Sequence, residues 1–385
     1  MIKNLICICN SFPPEVTPTA IRTGKILQNL PEEWKLQVIT EVNNAYLSDG
    51  CGTIHYVKSW YPKLLITFIL KLKLDKILEW FIFPDYKIFW LIPAIWHGLK
   101  IAKENKIDAI VVFMMPYSAG LVGIYLKWLL KCPLVLNFDD SLTCSDMHPI
   151  YPSRLHYYLT KWLENFYISQ ADQVIYVSDH NLNRLKKQLS LGNQNKLNLV
   201  RYGADTNEFL SIYSQINNNI DHRFSIVYIG EMNGWYDVLQ LQEENKSLIK
   251  IAKNIYRWWI KLGKYETVKL DYKTSSPVFL GKAVKQVIAK CPDWEDKVSI
   301  NIYGNQFNEQ VVENVLNNQN LIDVVSVFGA IPHSEAIKIA CQADLLFLTL
   351  PMRMDDSAGG RISAKTYEYL MSDRPILAAV SPGEN

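Results

Sequence analysis

The sequence predicts an α/β protein of two domains, each with a parallel sheet covered by helices on both faces. Short apolar runs, typical of buried strands, alternate with segments of helical spacing along most of the chain, which is the pattern of parallel sheets. The length of 385 residues suits two average domains. A polar, Asn-rich stretch at 206–223 interrupts the alternation. We therefore expect a first domain over residues 1–205, a linker over 206–223 and a second domain over 224–385.

The first domain begins with a buried strand, because Leu5–Cys9 is apolar and leads directly into a turn-forming loop. A helix from about Pro18 to Leu30 is expected next. Helical spacing predicts further helices near residues 118–130 and 153–168, and Ser178 is well placed to cap another. The remaining strands of this domain are expected at Leu36–Thr40, Ala109–Phe113, Leu134–Phe138 and Gln173–Val177.

The second domain repeats the same rhythm after residue 223. Residues 231–276 are polar with helical spacing, so a helical insertion is expected there. Its amphipathic segment Ser247–Lys261 is expected to pack on the core, and contact with a membrane or a partner is the alternative. The strands of this domain are expected at Phe224–Gly230, Val298–Gly304, Val325–Gly329, Leu345–Leu350 and Ile376–Val380.

Composition argues against several classes of protein. A net charge of +2 gives no general attraction to nucleic acid. The seven cysteines are scattered without a C-x-x-C pair, which indicates a reduced, cytoplasmic protein. Cys7 and Cys9 alternate along one strand, which is typical of core packing. No signal peptide is visible, and the apolar segment Leu64–Phe83 contains too many charged residues to cross a bilayer cheaply.

One segment near the end of the chain combines a place for phosphates with a carboxylate. The strand Asp344–Leu350 leads into a polar, glycine-bearing loop, and Ser363–Met371 is then predicted as a short helix before the strand Ile376–Val380. Such a loop lies at the C-terminal edge of a sheet, where α/β folds bind ligands. The helix start at Ser363 adds unpaired N–H donors and a positive dipole end, which suit a diphosphate.

The side chains of this segment fit a nucleotide. Gly359 and Gly360 allow backbone N–H groups to approach a ligand closely. Arg361 and Lys365 add positive charge. Glu368 shares a helix face with Lys365, and a carboxylate there can accept hydrogen bonds from the two hydroxyls of a ribose. The alternative interpretation is a surface helix with a weak Lys–Glu pair.

Glu368 followed by Ser372-Asp373-Arg374-Pro375 resembles the nucleotide-sugar site of retaining glycosyltransferases of family 4, which have the GT-B fold of two Rossmann-like domains facing across a cleft. In that family a helix carries a Glu that holds the donor ribose, and a small residue, a basic residue or Asn, a Pro and a strand follow. The family often has another Glu eight positions earlier, near the donor sugar, and Gly360 occupies that position here.

The resemblance extends over nearly the whole chain. It also covers an opening loop, Phe12-Pro13-Pro14-Glu15, that approaches the donor phosphate and acceptor in the family. The family usually continues beyond the last predicted strand, so its final helices are expected to be missing here. Further segments fall in the family's order: Pro116-Tyr117-Ser118, Phe138-Asp139-Asp140-Ser141, Ala171–Ile175, Gly203-Ala204-Asp205 and Gly329 with Ile331–Glu335.

The resemblance implies a function in polysaccharide biosynthesis. A nucleotide diphosphate sugar binds to the second domain, a glycan or lipid-linked acceptor enters from the first, and transfer retains the anomeric configuration. Cofactors and metals are not expected, because N–H groups and basic side chains neutralise the diphosphate. The basic pair that relatives often carry after the first strand of the second domain is absent from Glu231–Tyr236, so more of this charge is expected on Arg361 and Lys365.

Several residues of the first domain are further candidates. Pro14, Glu15 and Arg22 are candidates for contact with the acceptor or the phosphates. Asp140 is a candidate acceptor contact or general base, with a helix cap or a loop carboxylate as the alternative, and His148 lies in a loop from which it could reach the cleft. Two other functions stay open: a non-catalytic relative that binds nucleotide-sugar or a partner, and a nucleotide-sugar epimerase of the same fold.

Membrane contact is a further hypothesis. Residues 58–106 interleave aromatic residues such as Trp60, Phe81 and Trp96 with many lysines. Such a mixture suits an interfacial surface near anionic lipid, as at the inner face of the plasma membrane. The alternative is that these residues belong to helices packed on the first sheet.

Overall fold

The computed structural model describes residues 2–15, 17–45, 52–146, 150–214, 223–232, 258–259, 261–304 and 309–383. The chain divides into two compact units, each described by itself below. Unit 1 comprises Met1–Arg201 together with Asn254–Thr267. Unit 2 comprises Tyr202–Lys253 together with Val268–Asn385.

Unit 1 contains a seven-stranded sheet whose strand pairs are parallel, in the order β3-β2-β1-β4-β5-β7-β8. Its predicted α/β character is therefore confirmed. The strands are β1 Lys3–Ile8, β2 Trp34–Thr40, β3 Gly52–Tyr56, β4 Ala109–Phe113, β5 Leu134–Asn137, β7 Gln173–Tyr176 and β8 Leu197–Leu199, with a short β6 at Ile150–Tyr151 outside the sheet.

Alternate residues of the strands in unit 1 enter two separate cores. Ile6 and Ile8 of β1 belong to the core shared with the helices Leu91–Glu104, Ser118–Leu130 and Arg154–Gln170, whereas Cys7 and Cys9 belong to the core shared with the helix Pro18–Gln28. Both thiols are buried as predicted, and burial raises their pKa values. The helices are α1 Pro18–Gln28, α2 Lys63–Lys71, α3 Asp75–Phe81, α4 Leu91–Glu104, α5 Ser118–Leu130, α6 Arg154–Gln170, α7 Asp179–Lys186 and α8 Leu191–Gln194.

Unit 2 contains a five-stranded parallel sheet in the order β13-β12-β9-β14-β16. From β9 the chain passes to β12 on one side, and from β14 it passes to β16 on the other. The point where the strand order reverses is therefore between β9 and β14. The strands of this sheet are β9 Phe224–Ile229, β12 Val298–Tyr303, β13 Val325–Phe328, β14 Leu345–Thr349 and β16 Ile376–Ala379. The helices of unit 2 are α9 Thr206–Tyr213, α10 Pro277–Lys290, α11 Glu309–Asn318, α12 His333–Gln342 and α13 Ala364–Met371. Three short strands lie outside the two sheets: β10 Tyr265–Glu266 in unit 1, and β11 Leu270–Asp271 and β15 Met352–Arg353 in unit 2.

The structure differs from the prediction at the boundary between the units. Unit 1 ends at Arg201 rather than at residue 205, and the first part of the predicted linker is helix α9. Phe209 and Ile212 of that helix are buried against Ile337 and Cys341 of α12. The polar residues of α9 hid this apolar face in the sequence, and residues 215–222 lie outside the described part of the chain.

The predicted insertion at 231–276 is also divided differently. Residues 233–257 lie outside the described residues, so most of Ser247–Lys261 cannot be compared. Residues 254–267 are counted with unit 1 rather than with the second domain. There Lys76 Nζ donates to the carbonyl oxygen of Trp259 at 2.7 Å, and Tyr265 pairs with Tyr151 in an antiparallel bridge. These contacts bind the end of the insertion to unit 1.

Among the described residues, no helix is both long enough and apolar enough to span a bilayer. The described cysteines are all free thiols. Within the same residues, no group of three or more His, Cys, Asp or Glu side chains is arranged to hold a metal ion.

Candidate functional site

The carboxyl ends of β9 and β12 meet through two glycines. Gly230 and Gly304 have φ angles of 136° and 146°, which side-chain-bearing residues rarely adopt. A Cβ atom on Gly304 would lie 2.4 Å from the carbonyl oxygen of Gly230. The two backbones therefore touch directly, next to the point where the strand order reverses. Crevices at such points are the usual ligand sites of α/β sheets.

Lys365 places its ammonium group at the end of β9. Its Nζ donates to the hydroxyl of Tyr228 at 2.8 Å and lies 4.3 Å from the centre of that ring. A Cβ atom on Gly230 would lie 2.2 Å from this Nζ. The absence of a side chain at residue 230 is therefore what gives the ammonium its place beside the loop that follows β9.

The first turn of α13, the helix that carries Lys365, presents backbone donors. Ser363 is the N-cap, with φ −85° and ψ 137°, and its side chain makes no capping hydrogen bond. The first turn carries no acidic residue, so the positive end of the helix is not neutralised locally. This arrangement can bind an anion.

The glycines before α13 differ from the prediction in one respect. The backbone N–H of Gly359 donates to the carbonyl oxygen of Pro382 at 3.1 Å, and Gly359 forms a bridge with Gly383. That donor is used in the fold and is not directed to a ligand. Gly360 is buried and Arg361 is half-buried.

Glu368 lies one turn further along α13, in a cluster with two other ionisable groups. Its Oε1 is 3.9 Å from Nε2 of His333 in α12, and the same Nε2 is 3.8 Å from Oε2 of Glu208 in α9. Burial raises the pKa of the Glu368 carboxyl; His333 lowers it, the negative Glu208 raises it and Lys365 lowers it. About one third of the side chain stays accessible, at 33%.

Tyr369, the next residue, fixes α13 on the sheet. Its hydroxyl accepts a hydrogen bond from the backbone N–H of Ile229 at 3.0 Å, and the side chain is 1% exposed. Burial raises the pKa of this phenol. Tyr369 therefore ties the helix that carries Lys365 and Glu368 to the last residue of β9.

The predicted residues of unit 1 lie around the carboxyl end of its sheet. Arg22 of α1 forms an ion pair with Asp139, which follows β5. Arg22 Nη2 also lies 3.5 Å from Oδ1 of Asn137. Pro14 and Glu15 are exposed, and Glu15 accepts a hydrogen bond from the Ser11 hydroxyl at 2.8 Å. The loop after β1 and the loop after β5 are thus each held by polar contacts.

Asp140 is half-buried and its Oδ1 accepts a hydrogen bond from Nδ2 of Asn181 at 3.3 Å. This contact joins the loop after β5 to α7. The structure places Asp140 in a loop, which agrees with the alternative of a loop carboxylate, and Ser178 rather than Asp140 caps α7. His148 lies outside the described residues.

Sequence reasoning missed a polar cluster at the same edge, centred on Glu41. Its carboxylate accepts from Nδ2 of Asn10 at 3.0 Å, from Nζ of Lys87 at 2.7 Å and from the backbone N–H of Ser59 at 3.2 Å. Glu41 directly follows β2 and Asn10 follows β1. Polar residues after two neighbouring parallel strands were the signal that could have located this cluster.

A second missed carboxylate is Glu164 of α6, which is 1% exposed. It accepts hydrogen bonds from the Ser141 hydroxyl at 2.7 Å, the Leu142 N–H at 2.9 Å and the Thr143 hydroxyl at 2.6 Å. The Tyr176 hydroxyl donates at 3.2 Å. Burial raises the pKa of this carboxyl, while the donors oppose the rise. Glu164 therefore fixes the loop that begins with Asp139 and Asp140.

The aromatic segment at 58–106 divides into two groups. Trp90 is fully buried and its Nε1 donates to the carbonyl oxygen of Val57 at 2.7 Å, so it belongs to the core. Trp60, Phe81 and Trp96 are 66%, 82% and 66% exposed. Core packing therefore explains the buried aromatic residues of this segment, whereas the exposed ones lie at the surface.

The fold of the chain is that of GT-B glycosyltransferases, as solved structures of this class show over nearly its full length. HepE from Anabaena in complex with UDP matches with a TM-score of 0.54 and 14% identity, covering 99% of this chain and 82% of that one. A sucrose-phosphate synthase from Thermosynechococcus elongatus matches with a TM-score of 0.60 and 13% identity, covering 98% and 82%. A UDP-forming trehalose-phosphate synthase from Burkholderia vietnamiensis matches with 0.58 and 11%, covering 98% and 84%.

The particular family is indicated in unit 1. Residues 60–208 match the model of Glycosyltransferase Family 4, so this part of the chain carries a domain of that family. The predicted GT-B fold is thereby confirmed, and the resemblance to family 4 is confirmed over residues 60–208. No curated protein has significant sequence similarity to the chain.

Proposed function

We propose that the protein transfers a sugar from a nucleotide diphosphate sugar to a glycan or lipid-linked acceptor with retention of configuration. The observation that carries the proposal is the combination on helix α13 of a phosphate site and a carboxylate at the point where the strand order reverses. Lys365 and the first turn of α13, which has no acidic residue, supply the phosphate site, and Glu368 supplies the carboxylate. The Family 4 match and the GT-B fold support this assignment.

The roles follow from the chemistry of each group. Glu368, when ionised, accepts hydrogen bonds from the two ribose hydroxyls. The Lys365 ammonium and the first-turn N–H groups of α13 neutralise the diphosphate as it departs. Arg361 adds charge nearby. Lys365 reaches the end of β9 from α13, so it supplies charge where Glu231–Met232 carry none of the basic side chains that relatives place after this strand.

Unit 1 supplies the acceptor side in this proposal. Asp140 is the proposed acceptor contact or base, held by Asn181 and by the loop that Glu164 fixes. Glu41, with Lys87 beside it, is a further polar contact for acceptor hydroxyls. The alternative is a binding protein without turnover, favoured by Gly360 in the place of the family's second Glu. Release of nucleoside diphosphate from a labelled donor separates the two.

A screen of UDP, GDP and ADP and of their sugars is the first experiment, because the residues described do not select a base. We propose that catalysis needs no added metal, since Lys365 and α13 provide the positive charge. Activity that survives EDTA supports this, and activity that returns only with a divalent cation contradicts it. A cytoplasmic location with peripheral contact at the inner face of the membrane completes the proposal.

Replacing Lys365 with methionine keeps the aliphatic stem and removes the charge. We expect affinity for the nucleoside diphosphate to fall about ten- to hundredfold, since a hydrogen bond to a charged group contributes ~1.5–3 kcal/mol. Affinity for the nucleoside alone should stay unchanged, as isothermal titration calorimetry can measure. Lys338→Met, on the exposed face of α12, is the matched control. Equal losses for nucleoside and diphosphate would indicate a damaged fold rather than a lost phosphate contact.

Donor binding should also depend on pH through Glu368. Because its folded-state pKa is raised, the carboxyl takes up a proton at a higher pH than an ordinary glutamate, and affinity should decline as pH falls through that raised value. Glu208→Gln removes a like charge and should move the decline to lower pH. Fluorescence titration of the nucleotide between about pH 4 and 8 measures the midpoint. If the midpoint does not shift in Glu208→Gln, the charge of Glu208 does not influence the protonation of Glu368, and this prediction is wrong.

A further inference from the structure

The outer face of the helical layer α4–α5–α6 in unit 1 is unusually apolar. Helix α5 has one charged residue, Lys127, in the sequence Ser118–Leu130. A helix that is apolar all round is normally buried on all sides. Here the inner face packs on the sheet, while Tyr125, Trp128 and Leu129 are 48%, 53% and 51% exposed. The sequence of α5 is therefore suited to a second apolar contact on its outer side.

A cleft of about 500 Å³ opens between α4 and α5 on this face. The helices approach closely at Gly98, where a Cβ atom would lie 2.6 Å from Cδ1 of Leu126. The volume falls in the range of about 300–1,000 Å³ typical of small-molecule sites. Its lining contains no charged residue and includes Ile95, Trp96, Leu99, Tyr125, Trp128 and Phe166.

The rim of the cleft combines aromatic and basic side chains. Trp96 is 66% exposed on α4, and Trp162 of α6 is 61% exposed and stacks on Phe166 with 5.6 Å between ring centres. Each of the three helices also carries a lysine in sequence near these residues: Lys100 is exposed one turn after Trp96 on α4, Lys131 is exposed at the end of α5, and Lys161 precedes Trp162 on α6. Trp and Tyr with lysine beside an apolar surface are typical of groups at the lipid–water boundary.

We infer that this cleft binds the hydrocarbon chain of an anionic bilayer lipid and docks the α4–α5–α6 face on the membrane. A soluble ligand would need convergent polar groups to orient it, and the lining provides hardly any. A second copy of the chain fits less well, because lysine is depleted from protein–protein interfaces, whereas each of the three helices of this face carries a lysine. An anionic headgroup complements these lysines, and its chain complements the cleft. The inference stands independently of the proposed transfer reaction.

The test uses the full chain with phosphatidylcholine vesicles that contain or lack about one third phosphatidylglycerol. We expect flotation with the anionic vesicles, and quenching of tryptophan fluorescence when the acyl chains are brominated. The double substitution Trp96→Ala and Trp128→Ala should reduce partitioning roughly tenfold, since each removes a large apolar contact. Trp294→Ala in unit 2, where this tryptophan is 43% exposed, is the matched control. Circular dichroism and nucleotide affinity should be unchanged in all variants.

Three results would overturn the inference: no flotation with anionic vesicles, no quenching by brominated chains, or equal partitioning of the double variant and the wild type. A dimer in lipid-free solution that dissociates in the double variant would assign the face to a second copy instead. Loss of nucleotide binding with unchanged vesicle binding would count against the proposed transfer reaction alone. Loss of vesicle binding with unchanged nucleotide binding would count against this inference and the proposed membrane contact, and would leave the transfer reaction standing.

Discussion

Replacing Glu368 with alanine is expected to reduce affinity for the best-binding nucleoside diphosphate about hundredfold or more. Two ribose hydroxyls donating to one carboxylate each contribute ~1.5–3 kcal/mol, and 1.4 kcal/mol corresponds to about a factor of ten. The side chain is mostly buried yet keeps 33% of its surface accessible, so a ligand can reach it. Isothermal titration calorimetry of wild type and variant near pH 7.5 measures the loss.

A modified ligand tests whether the carboxylate acts on the ribose. A 2′,3′-dideoxynucleoside diphosphate lacks both hydroxyls, so it should bind the wild type weakly and be insensitive to Glu368→Ala. Glu208→Gln is the control variant, because Glu208 lies near the same His333 Nε2 as Glu368 and its replacement should leave affinity at this pH nearly unchanged. If Glu368→Ala binds the ordinary nucleotide with unchanged affinity, the assignment of this site to the nucleotide is wrong.

Replacing Glu164 with alanine is expected to destabilise unit 1 by about 3–5 kcal/mol. The substitution leaves the donors of Ser141, Leu142, Thr143 and Tyr176 without their buried acceptor, and each unsatisfied buried donor costs ~1–3 kcal/mol. The cavity left by the side chain adds to this cost. At ~2–4 °C per kcal/mol for a domain of this size, the melting temperature should fall by roughly 6–20 °C, as differential scanning calorimetry can measure.

Two further variants show whether the hydrogen bonds are responsible. Glu164→Gln keeps the shape and one acceptor oxygen, and hydroxyls can reorient to accept from its amide, so its loss should be clearly smaller. Tyr176→Phe removes the longest of these contacts, at 3.2 Å, and should cost about 1 kcal/mol. If the glutamine variant melts at as low a temperature as the alanine variant, neither the shape nor the acceptor oxygen that glutamine keeps holds the loop, and this account of the hydrogen bonds is contradicted. If the Glu164 variants lose sugar-transfer activity at temperatures where they are still folded, the loss reflects a displaced Asp139–Asp140 loop.

Local sequence was sufficient for the most apolar strands and helices. Ala109–Phe113 and Ser118–Leu130 were predicted with the bounds that the structure gives, because a continuous apolar run between turn residues has few alternatives. The edge strand Gly52–Tyr56 was missed, since it has no buried residue and carries a mixed sequence. Helix α9 was mistaken for linker because only Phe209 and Ile212 face its core.

For the candidate site, too, the sequence revealed some residues and not others. The motif around Glu368 and Lys365 was visible in the sequence, because both residues lie on one short helix after a loop. Their partners were not visible. Tyr228 lies 137 residues before Lys365, and Glu208 and His333 come from two other helices. The Glu41 and Glu164 clusters also join residues that are distant in sequence.

The sequence by itself determined the class of fold, the positions of the central strands along the chain and the helix that carries the nucleotide motif, because each depends on periodicity or spacing within one segment. Only the tertiary structure decided where the Lys365 ammonium lies, that the Gly359 N–H serves the fold, and that the outer face of α4–α5–α6 is exposed. These properties depend on which strands become neighbours and which helix faces are covered. Hydrogen bonds and burial between distant segments set them, and no local pattern in the chain encodes that pairing.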